Sequence, residues 1–405
     1  MIWHVLDVRA VWIKEFAAAL AAQVPTLGWC PNISAVGRFR DYEDEARLAD
    51  PPLRVRSFPL QRGFSKFPVS LIAREANRVN RRLLIATPYT TESVLICCSP
   101  HYAPVAERWP GQVIYYVTDL FTAYGDKPSF VTALERRLCG VADLVCPNSR
   151  RIAEFLTGKA DCDPAKITIV PNATRAVNTT LEPGFDPPFA TCGPAELNSL
   201  RRPIAGVIGN LAGNTDWSLL AEVIERTPWL SWTFVGPTEM NVADPLQRGA
   251  RSRLQQLGDR IRFVGEKPYG LLRDYAGAVD VAVLPYRKCE PTYSGSSTRF
   301  YEHLATGRPM IATRGFAELL DKEPLLRLID SAGEMVSALD ELRALNFRDG
   351  YEAQRWIVSQ NETWEARAQQ MRSALAKVIA GRRAIGQDSS DSPTDSIRAS
   401  EIALQ

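Results

Sequence analysis

The chain has 405 residues, 48 Lys and Arg against 46 Asp and Glu (net charge +2), 45% hydrophobic and 23% charged residues. This is the composition of a soluble globular protein with room for two cores, and a charge balance so near zero points to no class of partner. No run of eighteen apolar residues is present to span a bilayer, and Asp7, Arg9, Lys14 and Glu15 interrupt the first apolar stretch, so no signal peptide is expected there.

Taken in chain order, the N-terminal half alternates apolar and amphipathic runs. Ile2–Val8 reads as a strand and Val11–Ala22 as a helix with Val11, Phe16, Ala19 and Leu20 at apolar positions. Further strands are expected at Leu53–Phe58, Val94–Cys98, Val113–Val117 and Leu144–Cys146. The eight cysteines are not spaced as metal ligands, and Cys97, Cys98 and Cys146 fall inside apolar strand patterns as small hydrophobes. A reduced, cytoplasmic protein without a metal is the expectation.

Residues 54–82 hold Arg54, Arg56, Arg62, Lys66, Arg74, Arg78, Arg81 and Arg82 against one acid, Glu75. Within a helix expected over Ser70–Leu84, Ile72, Ala76, Val79 and Leu83 form an apolar stripe opposite the arginines, and Phe58, Phe64 and Phe67 precede it. Such a face suits an anionic membrane surface, or equally a helix packed on its sheet with a solvated basic side. No nucleic-acid motif accompanies it, so nucleic acid is not an expected partner.

An aperiodic stretch rich in proline and glycine, Thr179–Arg202, separates the halves. Strands then recur at Ile204–Ile208, Trp232–Val235, Ile261–Val264, Val281–Leu284 and Met310–Ala312. After Gly381, serine and aspartate dominate, as in a disordered tail. The expectation is an α/β protein of two doubly wound, Rossmann-like domains facing each other across a cleft. Residues 1–185 form the first, 186–380 the second and 381–405 the tail. Ligands of such sheets sit beyond the carboxyl ends of the strands.

The most informative stretch is Asp280 to Thr313. A buried strand leads into Tyr286 and Arg287, then into the small-residue run Ser294-Gly295-Ser296-Ser297, and a helix begins near Ser297 and Thr298. Arg299 and Glu302, three apart, project to one side of that helix. A cation and free amides suit the phosphates of a nucleotide diphosphate, and a carboxylate suits ribose hydroxyls. Gly209-Asn210 is a second strand-to-helix turn open to phosphate, unless it merely connects its elements, and it would face the diphosphate from the side opposite Arg299. Gly265-Glu266-Lys267-Pro268 is a third turn, readable also as a charged surface loop.

Pro285-Tyr286-Arg287 followed by Ser297-Thr298-Arg299-Phe300-Tyr301-Glu302-His303-Leu304-Ala305-Thr306-Gly307-Arg308-Pro309 resembles the donor-binding segment of GT-B glycosyltransferases of the family 1 or family 4-like group. IAGVIGNLAGNTDWSLLAEVIERTPWLSWTFVGP, RIRFVGEKPYGLLRDYAGAVDVAVLPY, LERRLCGVADLVCPNS and ITIVPNATR resemble other parts of the same group, in order, over roughly residues 113–375. The resemblance implies a GT-B fold, a nucleotide-diphosphate sugar donor, and Glu266 and Lys267 near the base. It implies no cofactor and no metal, because protein cations and amides hold the leaving diphosphate. The chain departs from the group in four places. Arg299 replaces a usual lysine, Ser294 stands where many members have an acid eight residues before Glu302, Leu120 replaces a second acid, and Ala173 replaces a glycine after Asn172. Glu290 is the nearest acid upstream of Ser294.

Inverting transfer needs a base near the sugar's C1. Asp119, just past the strand Val113–Val117, is the candidate, unless it is a turn or helix cap; His101 is the second, although a lone loop histidine is more often structural. His303 is expected to pack, and Asp161-Cys162-Asp163 reads as a turn rather than a metal site. The expected activity is glycosyl transfer to a saccharide or lipid-linked saccharide, as in envelope polysaccharide assembly. A nucleotide-sugar epimerase and a non-catalytic nucleotide-sugar-binding subunit are the alternatives.

Overall fold

The computed structural model describes residues 1–35, 38–39, 52–85, 92–124, 127–176, 193–211, 213–237 and 244–388. Among them, thirteen strands form two sheets. The first contains β1 (Ile2–Leu6), β2 (Thr26–Ala35), β3 (Arg38–Phe39), β4 (Arg54–Gln61), β5 (Ser93–Cys97), β6 (Gln112–Val117) and β7 (Leu144–Pro147). Its order is β3-β2-β1-β5-β6-β7, with β4 beside β2, and every pairing is parallel except β2 with β3. The second contains β8 (Ile204–Ile208), β9 (Ser231–Val235), β10 (Ile261–Gly265), β11 (Val281–Leu284), β12 (Met310–Thr313) and β13 (Arg327–Ile329). These strands run parallel in the order β10-β9-β8-β11-β12-β13.

Parallel sheets are covered on both faces, so their strands read as unbroken apolar runs. β5, β8, β9 and β11 are buried at every position. That is why ten of the thirteen strands were legible, within a few residues at their ends. β2 was not, because Gly28, Pro31 and Asn32 break its pattern; it becomes a strand by pairing with β1 on one side and β4 on the other. β3 and the three-residue β13 are too short to announce themselves. Strand order reverses at β1/β5 and at β8/β11, and each reversal opens a crevice at the carboxyl ends.

The amphipathic helix spans Val69–Ile85, with Ala76, Val79 and Leu83 buried. All eight basic residues of the 54–82 segment are exposed. The aromatic component is different: Phe58 and Phe64 are buried in the core, and Phe67 packs against it.

The last helix, Trp364–Asp388, corrects both the domain boundary and the tail. Trp364, Ala368, Met371 and Leu375, one stripe at helical spacing, join Phe16, Leu20 and Tyr116 in the core of the first domain rather than the second. The chain returns across the cleft where Thr174 N–H bonds Glu362 O (3.0 Å) and Trp364 N–H bonds Thr174 O (3.0 Å). The helix also continues through Asp388, where a tail was expected from residue 381; positions 389–405 lie outside the described residues. Of the expected connection, residues 179–192 lie outside as well, while Leu197 and Leu200 are buried in the second domain.

Candidate active site

The carboxyl ends of β6, β8, β9, β10 and β11 open onto one cleft of about 450 Å³, walled by both domains. Its backbone floor is built around Gly209 and Gly236, with Gly265 supporting them from the next strand. Gly209, Gly236 and Gly265 follow or end adjacent strands with φ of 118°, 152° and 83°. Gly209 N–H bonds Val235 O (2.8 Å), and Gly236 N–H bonds Gly265 O (2.9 Å), so the three tips lock side by side. A Cβ on Gly236 would lie 1.9 Å from Gly209 O, and one on Gly209 would lie 2.8 Å from Arg299 Nε. Glycine is required at Gly236 by φ and by a backbone contact, and at Gly209 by φ. Gly236-Pro237 was not singled out in the sequence, although a glycine–proline pair directly after a strand is a usable signal.

Arg299 is packed onto this floor. Its Nη2 donates to Asn210 O, its guanidinium lies 5.0 Å from the Tyr286 ring centroid, and Nη1 has no hydrogen-bond partner among the described residues. The expected arrangement, with Arg299 facing the phosphates from the side opposite the Gly209-Asn210 turn, is therefore corrected: the arginine and the turn form one surface. Burial lowers the Arg299 pKa, so the ion is held at a desolvation cost that an anion in the cleft would offset. His303 also lines the cleft instead of only packing. Burial, then Arg299, pushes its pKa down to about 3, so the ring is neutral, and its Nδ1 has no hydrogen-bond partner among the described residues.

The small-residue run is held by a carboxylate that lies outside every motif read from the sequence. Glu318 accepts from Ser297 N–H (2.8 Å), Ser296 Oγ (2.9 Å) and Tyr301 OH (2.6 Å). Ser297 Oγ accepts from Phe300 N–H (3.3 Å) and contacts Tyr286 OH (2.9 Å). The Ser297 amide expected to face a phosphate is thus occupied, and Ser297 is buried behind the cleft surface. Ser296, Thr298 and Tyr286 do line it. Asn172 fastens the same run from the other domain: its N–H donates to Ser296 Oγ (3.0 Å), and its Nδ2 donates to Ser296 O (2.9 Å) and Thr298 Oγ1 (3.0 Å).

Glu302 lines the cleft, half-buried, and accepts a hydrogen bond from Tyr269 OH. Its pKa is raised by burial, an effect that Tyr269 and Arg273 oppose. Tyr269 in turn lies under Arg175, 5.4 Å from guanidinium to ring centroid, and Arg175 forms a bidentate pair with Glu15 (2.5 and 2.7 Å). Glu266 and Lys267 border the same end of the cleft, with Lys267 Nζ held by Glu196 at 2.8 Å.

Three expected residues stand elsewhere. Arg287 does not line the cleft; it pairs with Asp244 at 3.1 Å. Glu290 is exposed and accepts from Ser294 Oγ (3.0 Å), one turn along its own short helix. His101 is turned into the first domain, where its Nδ1 contacts Ser65 Oγ (2.8 Å) and its ring lies 6.4 Å from that of Phe130. Asp119, by contrast, is in the cleft wall, with Thr118 Oγ1 and Tyr124 OH each 3.4 Å from its carboxylate. Burial raises its pKa to about 6. Asp161 pairs with Arg136 and Asp163 caps a turn, and no group of three or more His, Cys, Asp or Glu is placed to hold a metal among the described residues.

Residues 202–344, which include the glycine floor, Arg299 and Glu302, match the family described as glycosyl transferases group 1. The two doubly wound sheets that open onto one cleft make the fold GT-B. Among solved structures, this GT-B chain is similar to HepE of Anabaena in complex with UDP and glucose (TM-score 0.65, 13% identity, covering 93% of this chain and 99% of that one). It is similar to sucrose-phosphate synthase of Thermosynechococcus elongatus (TM-score 0.65, 16% identity, covering 94% and 100%). A trehalose-6-phosphate protein of E. coli bound with UDP-2-fluoro glucose is a third (TM-score 0.59, 13% identity, covering 93% and 99%). No curated protein sequence matches the chain.

Proposed function

We propose that this glycosyltransferase moves a hexosyl unit from a uridine diphosphate sugar to a saccharide or lipid-linked saccharide acceptor, without a metal, in envelope or exopolysaccharide synthesis. The observation that carries the reading is one cleft with a buried, partly unpaired arginine over a Cβ-free floor on one side and a carboxyl with a pKa of about 6 on the other. The uridine choice rests on the UDP ligands of the HepE and E. coli structures. Arg299 would neutralise the departing diphosphate and Glu302 would take the ribose hydroxyls, releasing Tyr269. Asp119 would accept the proton of the attacking hydroxyl; a base works best with a pKa near the working pH.

Asp119→Asn is expected to keep UDP affinity in calorimetry and to lose at least about a hundredfold in transfer rate. Wild-type transfer should fall as pH drops below about 6, where the carboxyl takes up its proton. Unaltered turnover in the variant would remove Asp119 from the chemistry. A thermal-shift series of UDP, GDP, ADP and dTDP tests the donor directly: a ligand at a hundred times its Kd stabilises by about 2.7 kcal/mol. No helix among the described residues is long and apolar enough to cross a membrane. A cytoplasmic enzyme docking on an anionic membrane face is the reading we favour, supported by the eight exposed cations of residues 54–82. Flotation with anionic vesicles at low salt checks it.

A further inference from the structure

The wall of the cleft opposite the donor floor has a composition of its own. Val11 and Trp12 come from the first turn of the helix Val11–Ala21, and Thr118, Asp119 and Tyr124 follow β6. Val11 and Tyr124 line the cleft and are 41% and 53% exposed, so apolar surface there is open to a ligand. Trp12 is half-buried beside them. Among the described residues that wall presents no lysine, arginine or histidine; Lys267, Arg299 and His303 all belong to the donor side. Its one charge is the Asp119 carboxyl, to which Tyr124 OH donates at 3.4 Å.

A phosphate or carboxylate on the acceptor would meet Asp119 there with no cation on its own side, at an electrostatic cost. A sugar ring suits the wall better. It offers an apolar C–H face to aromatic rings and hydroxyls at its edge to a few polar groups. Resting on the glycosyltransferase reading above, we propose that the reacting unit of the acceptor is an uncharged sugar ring, its C–H face against Trp12 and Tyr124 and one hydroxyl turned to Asp119. In the transfer that follows, the hydroxyl oxygen forms the bond to the donor C1. The C1–O bond to the diphosphate breaks with its electron pair leaving on the nucleoside diphosphate, and the hydroxyl proton passes to Asp119. A lipid or further sugars would lie beyond the stacked ring.

The test compares the full-length protein with Trp12→Ala, Trp12→Phe and Tyr124→Ala. Nucleotide release from the sugar nucleotide is followed with methyl glycosides of glucose, galactose and mannose, or with the 6-phosphates of the same sugars. UDP affinity, read on the opposite wall, reports that each variant is folded. Neutral glycosides are expected to stimulate release, with KM raised about tenfold or more by Trp12→Ala and largely restored by Trp12→Phe. Preference for the 6-phosphates, a KM unmoved in Trp12→Ala, or no stimulation by any neutral ring would overturn the proposal. A wild-type protein that binds no nucleoside diphosphate would remove the glycosyltransferase reading itself, a separate result.

Discussion

Arg299 shows how much of a site depends on one buried charge. The guanidinium is almost enclosed, yet among the described residues only one of its terminal nitrogens has a hydrogen-bond partner, the Asn210 carbonyl. A buried cation held this way costs stability in the free protein and is repaid by a bound anion. Arg299→Ala is therefore expected to weaken UDP binding at least about tenfold, roughly 1.4 kcal/mol, without lowering the melting temperature of the free protein. Calorimetry and a melting curve on the same sample read the two effects separately. The residue types at Arg299, Glu302 and Asp119 were legible because charge at a strand-to-helix junction needs a reason. His101 and Arg287 carried the same signal, and there it misled: a loop histidine and a loop arginine found partners in Ser65 and Asp244, far apart in the sequence.

At the scale of elements, the site depends on three strand tips whose backbones touch. Gly236 faces Gly209 O, a backbone atom that cannot step aside, whereas Gly209 faces the side chain of Arg299, which can. Gly236→Ala should destabilise the second domain by on the order of 3 kcal/mol, and Gly209→Ala by less, through its positive φ. Gly209→Ala should still weaken UDP binding, because Arg299 must shift. Urea unfolding with and without UDP distinguishes the two outcomes. The loop Ser294–Ser297 gives a second lesson. Its hydroxyls looked free in the sequence, but Glu318 and Asn172, neither within ten residues, occupy them. Local chemistry marks a loop as able to bind; only packing says what it already binds.

For the molecule as a whole, the helix Trp364–Asp388 decides how the domains are joined. It follows the second domain in sequence and completes the core of the first domain in space. Trp364→Ala should cost that core about 3–5 kcal/mol. Calorimetric scanning with UDP present is expected to show the first-domain transition shifted down and the second-domain transition little changed; equal shifts in both would mean the two domains unfold as one. The contacts that close the cleft, Asn172 to Ser296 and Thr298, and Arg273 Nη2 to Thr174 Oγ1 at 2.9 Å, likewise join residues about a hundred positions apart. By itself the sequence determined the two parallel sheets, since strands buried on both faces must be apolar throughout. It also marked the glycines, the cation and the carboxylate that fall at strand ends and line the cleft. The tertiary structure alone decided which charges reach the cleft, which amides remain open in it, and to which core the last helix belongs, because each of these rests on contacts between residues whose separation in the chain carries no pattern.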